Sequence, residues 1–196
     1  MLRYILMMYV TLIPTILAGV MVMLWCKLPI MKFAAHPIDF GKNFFDGRRI
    51  FGENKTWKGF VGYIIFHIFF SILWGFCCTN ETLSNLNFFY QSHDNNITNN
   101  IVIGVFLGLG YALFELPNSF LKRRLDITPG KTLNGFGKAF FIFFDQADSI
   151  FGVALVVWMF YPLGLPLYLL YVFVGAATHL LINMMLYFMK LRKNMF

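Results

Sequence analysis

Five apolar stretches of about 19 residues or more, set apart by polar loops, constrain this chain more than any other feature. They run roughly from Tyr4 to Cys26, Phe60 to Cys78, Ile101 to Phe120, Ala139 to Tyr161 and Leu165 to Met189. A helix of about 20 apolar residues just crosses the hydrocarbon core of a bilayer. Inside that core no water satisfies the backbone, so each stretch must close its own hydrogen bonds as a helix. The pattern predicts an all-α, polytopic membrane protein with about five transmembrane helices. The chain is 59% hydrophobic and 13% charged, with mean hydropathy +0.66, a balance on which a soluble domain would aggregate. Residues 1–196 read as a single integral-membrane domain. The first stretch reads as a retained span: it is too long for a signal peptide, only Arg3 precedes it, and no A-x-A site follows.

Orientation follows from the basic residues. Segment 27–59 carries Lys27, Lys32, Lys42, Arg48, Arg49, Lys55 and Lys58. Segment 121–138 carries Lys122, Arg123, Arg124, Lys131 and Lys138, and Lys190, Arg192 and Lys193 follow the fifth stretch. Segment 79–100, rich in Asn, Ser and Thr, has none. With five spans every Lys and Arg except Arg3 falls on one side, and the positive-inside rule makes that side cytoplasmic. The N-terminus is then expected outside and the C-terminus inside, in the cell membrane. No nucleic-acid partner is expected. Gly104 and Gly108 form a GxxxG, read as close packing within the bundle ahead of dimerisation; a homodimer stays open. The three cysteines lack CxxC spacing and the four histidines make no zinc pattern, so both read as structural.

The fourth stretch contains FFDQADSIFG, with Asp145 and Asp148 three residues apart and therefore on one helical face. Counted from Ala139, they lie about 9 and 13 Å along the helix. Glu115, on the antiparallel third stretch, lies about one turn before its inner end. Three carboxylates thus converge near the cytoplasmic boundary. Each buried charge costs about 2.5–3.5 kcal/mol on insertion scales, so something must neutralise them. Loop Lys or Arg could do so as structural ion pairs. A divalent cation is the other answer, and Mg²⁺ is typically held by one or two carboxylates plus substrate phosphates. The loops at the same boundary, DGRRIFGENKTWKG and NSFLKRRLDITPGKT, mix Lys and Arg with Gly, Asn and Thr. Topology alone needs the charge but not that company; a polyphosphate site needs both. PGKT at 129–132 is not a P-loop, because Leu125 stands where the pattern needs its first Gly.

NSFLKRRLDITPGKT followed by FFDQADSIFG resembles the S-x-x-K-R … D-x-x-D signature of membrane cytidylyltransferases, through Ser119, Lys122, Arg123, Asp145 and Asp148. Where the phosphatidate enzymes carry a His-Gly-Gly run, this chain has Phe-Gly-Lys at 136–138, and Gln146 follows the first Asp. DGRRIFGENKTWKGF at 46–60 is similar to the G-x-N-K-T-W-x-G stretch of the CDP-archaeol synthase branch. The resemblance implies a small five-span bundle with a cytoplasm-facing site that joins CTP to a membrane lipid phosphate, giving CDP-lipid and pyrophosphate, with Mg²⁺. In that reading Asp145 and Asp148, with Glu115 beside them, hold the metal. Lys122 and Arg123 neutralise phosphate and are catalytic. Asn54, Lys55, Thr56, Ser119, Arg124 and Lys131 bind substrate. Two other readings remain: a CTP-dependent lipid kinase, which would leave no cytidine on its product, and a cation-coupled transporter. A transporter predicts acids at mid-membrane, reachable from both sides.

Overall fold

The computed structural model describes residues 1–128 and 138–192. Its long helices are α1 (Leu2–Lys27), α2 (Trp57–Cys77), α4 (Ile97–Arg124), α5 (Lys138–Phe160) and α6 (Gly164–Phe188), with a short α3 (Glu81–Asn85) between α2 and α4. All five long helices are apolar enough to cross a membrane. Among the described residues there is no extended strand, only two isolated β-bridges. The boundaries lie within a few residues of those expected. The largest difference is at α4, which continues past Phe120 to Arg124, so Glu115 sits about two and a half turns from its end. Lys122, Arg123 and Arg124 occupy that last turn, where cations complement the helix dipole.

Glycines set the spacing of the bundle. A Cβ on Gly104 or Gly108 would meet the Cα of Ile68 or Ile64 at 2.5 Å, so α4 lies backbone to backbone on α2. The GxxxG is thus spent inside the chain, as lipid-phase packing favours. On the other side of α4, Gly110 meets Gly152 of α5 equally closely. α1 packs on α2, and α6 on α5. Met8, Leu12, Leu107, Val153, Val157 and Tyr171 form the core between them.

The segment from 79 to 96 is no passive polar loop. Phe88 is fully buried, with its ring 4.9 Å from Tyr161 and 6.2 Å from Tyr171, and its N–H donates to Thr11 Oγ1 at 3.1 Å. Asn95 and Asn100 tie its end to the turn after α2 and to each other. The segment closes one end of the bundle.

Candidate active site

At the other end, segment 28–56 is folded around one carboxylate. Asp39 accepts the N–H groups of Gly41, Phe51 and Gly52 at 3.0–3.1 Å and pairs with Arg49 at 2.7 Å, its side chain fully buried. Burial alone would raise its pKa; the Arg49 guanidinium and the three amides outweigh that and hold it at about 2. Thr56 then caps α2, accepting the Gly59 N–H at 3.2 Å. This loop is clamped to the end of α4. Arg124 donates to the Arg49 and Arg48 carbonyls at 2.6 and 3.2 Å, pairs with Asp46 at 2.7 Å, and lies over the rings of Phe120 and Phe44. Arg48 pairs with Asp126 at 2.7 Å.

Between this loop, α1, α4, α5 and α6 lies a cavity of about 580 Å³. Its lining includes Asn54, Lys55, Thr56, Glu115, Ser119, Lys122, Arg123, Asp145 and Asp148. Asp145 and Asp148 are bridged by one amide: Asn118 Nδ2 donates to Asp145 Oδ1 at 2.9 Å and to Asp148 Oδ2 at 2.7 Å. Pro117 directly precedes Asn118 and cannot bond the Leu113 carbonyl, which loosens α4 where that amide must turn. Lys122 Nζ reaches Asp145 Oδ2 at 2.5 Å. Asp148 is the more buried acid and also accepts its neighbour's amide, Ser149 N, at 2.6 Å. Glu115 is engaged otherwise: one oxygen pairs with Lys55, and the other accepts Tyr63 OH at 3.2 Å. Burial pushes the Lys55 ammonium down, but Glu115, Asp148 and Asp145 more than offset it, so Lys55 stays charged. Ser119 Oγ donates to the Glu115 carbonyl. Arg123 contributes a buried Nε with no partner among the described residues.

The apolar wall belongs chiefly to α1, through Leu12, Ile16, Val20 and Met23. One cavity therefore joins a charged end to an oily one. Such an arrangement can take a phosphate-bearing amphiphile, with head and tail each meeting a matching surface. The match to the description "CarS-like: CDP-archaeol synthase" covers residues 1–196, the whole sequence.

The chain belongs to the CDP-archaeol synthase family.

A CDP-archaeol synthase of Methanoculleus marisnigri is 31% identical over 163 residues, covering 80% of this chain and 87% of the relative. One from Archaeoglobus fulgidus is 30% identical over 192 residues, covering 91% and 96%. A solved structure, described as structural insight into an intramembrane enzyme for archaeal membrane lipids biosynthesis, superposes with TM-score 0.58. It is 21% identical and spans 89% of this chain and 91% of that one, so the two share a fold.

One of the residues expected at the site stands apart in this CDP-archaeol synthase family member. Arg124 does not line the cavity; its guanidinium is used up in holding the loop. Lys131 lies outside the described residues. Several lining residues escaped the sequence reading, notably Asn118, Tyr63 and Arg192. A signal for Asn118 existed: two adjacent buried carboxylates require a donor, and it stands one residue before Ser119.

As a metal site the donor set is open. Among the described residues no three His, Cys, Asp or Glu side chains form a ready cage. Asp145 and Asp148 offer two carboxylates on one face, and the buried Asn118 Oδ1 has no partner. Hard oxygen donors in that number fit Mg²⁺, which leaves the rest of its shell to water and phosphate.

Proposed function

We propose that this chain transfers a cytidylyl group from CTP to an archaeol-type membrane lipid phosphate, releasing pyrophosphate. The cavity carries the reading: carboxylates, cations and an apolar wall share one space of about 580 Å³. A lipid phosphate oxygen attacks the α-phosphorus of CTP. The bond from that phosphorus to the α,β-bridging oxygen breaks, and both electrons leave with pyrophosphate. No side chain need become a nucleophile, because the lipid brings its own. Catalysis is then positioning and charge neutralisation between two anions.

Asp145 and Asp148 would hold Mg²⁺, which when bound screens the triphosphate and favours attack at phosphorus. Asn118 orients both acids. Lys122 balances Asp145 and, with Arg123, faces the phosphates. Lys55, kept charged by the neighbouring acids, meets the nucleotide with Asn54 and with the hydroxyl hydrogen of Thr56, whose oxygen already caps α2. Glu115, held by Lys55 and Tyr63, positions Lys55. The basic-residue count supports a cytoplasm-facing cavity in the cell membrane, with the N-terminus outside.

The test is incubation of purified protein with labelled CTP, Mg²⁺ and a panel of lipid phosphates, read by mass spectrometry. CDP-lipid with pyrophosphate is the expected product. A phosphorylated lipid without cytidine would replace the reading by a lipid kinase. No product from any lipid phosphate would reject both.

A further inference from the structure

Residues 43–49 form a tight turn that presents a bare aromatic side chain. Phe44 N–H donates to the Arg48 carbonyl at 2.7 Å, Gly47 N–H donates to the Phe44 carbonyl at 2.9 Å, and Asn43 bridges to Arg49. Gly47 takes φ +76°, a left-handed conformation that suits glycine at such a turn. At its apex Phe45 is 100% exposed. This ring lies edge-on to its neighbour Phe44, centroids 5.1 Å apart, and the turn beneath it is held in place. Phe44 is pinned edge-on against Phe120 at 5.1 Å, Arg124 lies over both rings, and Arg48 and Asp46 are tied to the end of α4. Phe120 belongs to α4 four residues before Arg124, so the turn sits about 6 Å down the helix rather than above it. Leu121 of α4 and Leu125, which caps it, are exposed. Lys42 flanks the tip on one side, and Arg48, paired with Asp126, on the other.

We propose that the Phe44–Phe45 turn is a lipid-docking tip, with Phe45 seated among the acyl chains and Lys42 among anionic headgroups. Three observations favour a lipid surface over a protein partner. The tip is continuous with the lipid-facing flank of a membrane span. It is aromatic, the side-chain class that prefers the membrane–water boundary. Lys42 beside it supplies a cation, which complements anionic lipid. Because the same turn is clamped through Arg124 and Arg49 to the loop that carries Asn54 and Lys55, its docking fixes the cavity mouth against the leaflet from which a lipid substrate would come.

Lipid contact at this tip can be measured without activity. A single cysteine at position 45, in full-length protein with Cys26, Cys77 and Cys78 replaced by Ala, carries a nitroxide label. Labels at Leu121 and Glu53 serve as lipid and water references. The protein is placed in vesicles of neutral lipid with about a quarter anionic lipid, and collision with oxygen and with a water-soluble nickel chelate is measured. Position 45 should match position 121, favouring oxygen over nickel several-fold more than position 53 does. Equal nickel access at 45 and 53 would overturn the proposal. So would spin–spin broadening between labels at 45 that vanishes on dilution with unlabelled protein, because that places a second copy at the tip.

Discussion

Replacing Gly152 by Ala tests whether helix spacing sets the acid geometry. A Cβ there would lie 2.1 Å from the Gly110 carbonyl oxygen and 2.7 Å from its carbonyl carbon and from a Phe114 ring carbon. A comfortable carbon–oxygen contact is about 3.3 Å, so α4 and α5 must part by about 1 Å. The obstacle is backbone, which no rotamer change relieves. Asp148 is one turn before Gly152 and Asn118 about two turns after Gly110. Carried that far, the shift stretches the 2.9 and 2.7 Å bonds from Asn118 beyond hydrogen-bond length. Overpacking should cost about 1–3 kcal/mol of stability. A misplacement of about 1 Å should cost about 100-fold in turnover, or about 3 kcal/mol of barrier. Gly62→Ala is the comparator, because its Cβ meets side chains rather than backbone, Trp25 at 3.2 Å and Val22 at 3.7 Å. Thermal unfolding in detergent and CTP-dependent CDP-lipid formation are the two assays. Wild-type stability and turnover in Gly152→Ala would refute the reasoning. Lost stability with full turnover would refute the link from this crossing to the acids.

Asp148→Asn should abolish turnover while leaving the melting temperature equal or higher, because it removes a buried charge that the Asn118 amide and the Ser149 N–H hold; loss of activity that only tracks unfolding would return Asp148 to a structural role. Asp145→Asn should be modestly destabilising instead, since it removes the acid facing Lys122, and equal melting temperatures for the two variants would contradict that difference. Asp39, whose pKa is lowered from about 3.8 to about 2, contributes about 2 kcal/mol that is fully present above about pH 4 and is lost as pH falls toward 2. Hydrogen exchange at the Phe51 and Gly52 amides should therefore rise over that interval, and Asp39→Asn should exchange fast at every pH. For topology, in a cysteine-free background a cysteine at the exposed Ser92 should label from outside and one at Asn43 only after permeabilisation.

The five spans were legible because apolar run length is a direct consequence of bilayer thickness, and their ends fell within a few residues. The acids and most of the cations were legible because charge in or beside a span is conspicuous. Asn118 was hidden because it is neutral and its role appears only when α5 lies alongside. The place of Arg124 was hidden for the opposite reason: it is one cation among several, and only the folded loop shows which one turns to the Arg48 and Arg49 carbonyls. The packed aromatics at 88–90 were masked by Asn- and Ser-rich surroundings that read as a solvated loop.

The cavity also dictates when the protein becomes competent. Its lining draws on Leu12 and Ile16 of α1 and on His179, Asn183 and Arg192 in and after α6, and Lys27 bonds the Leu191 carbonyl across its mouth. The chain between them supplies the acids and Lys55, Lys122 and Arg123, but not the far wall. During synthesis at a membrane, the chain therefore spends its whole insertion with the charged pocket open on one side. It closes only when α6 enters and meets a helix laid down some 150 residues earlier. An arrested or clipped product lacking α6 would be a membrane protein with acids and lysines in place and no chamber to use them in.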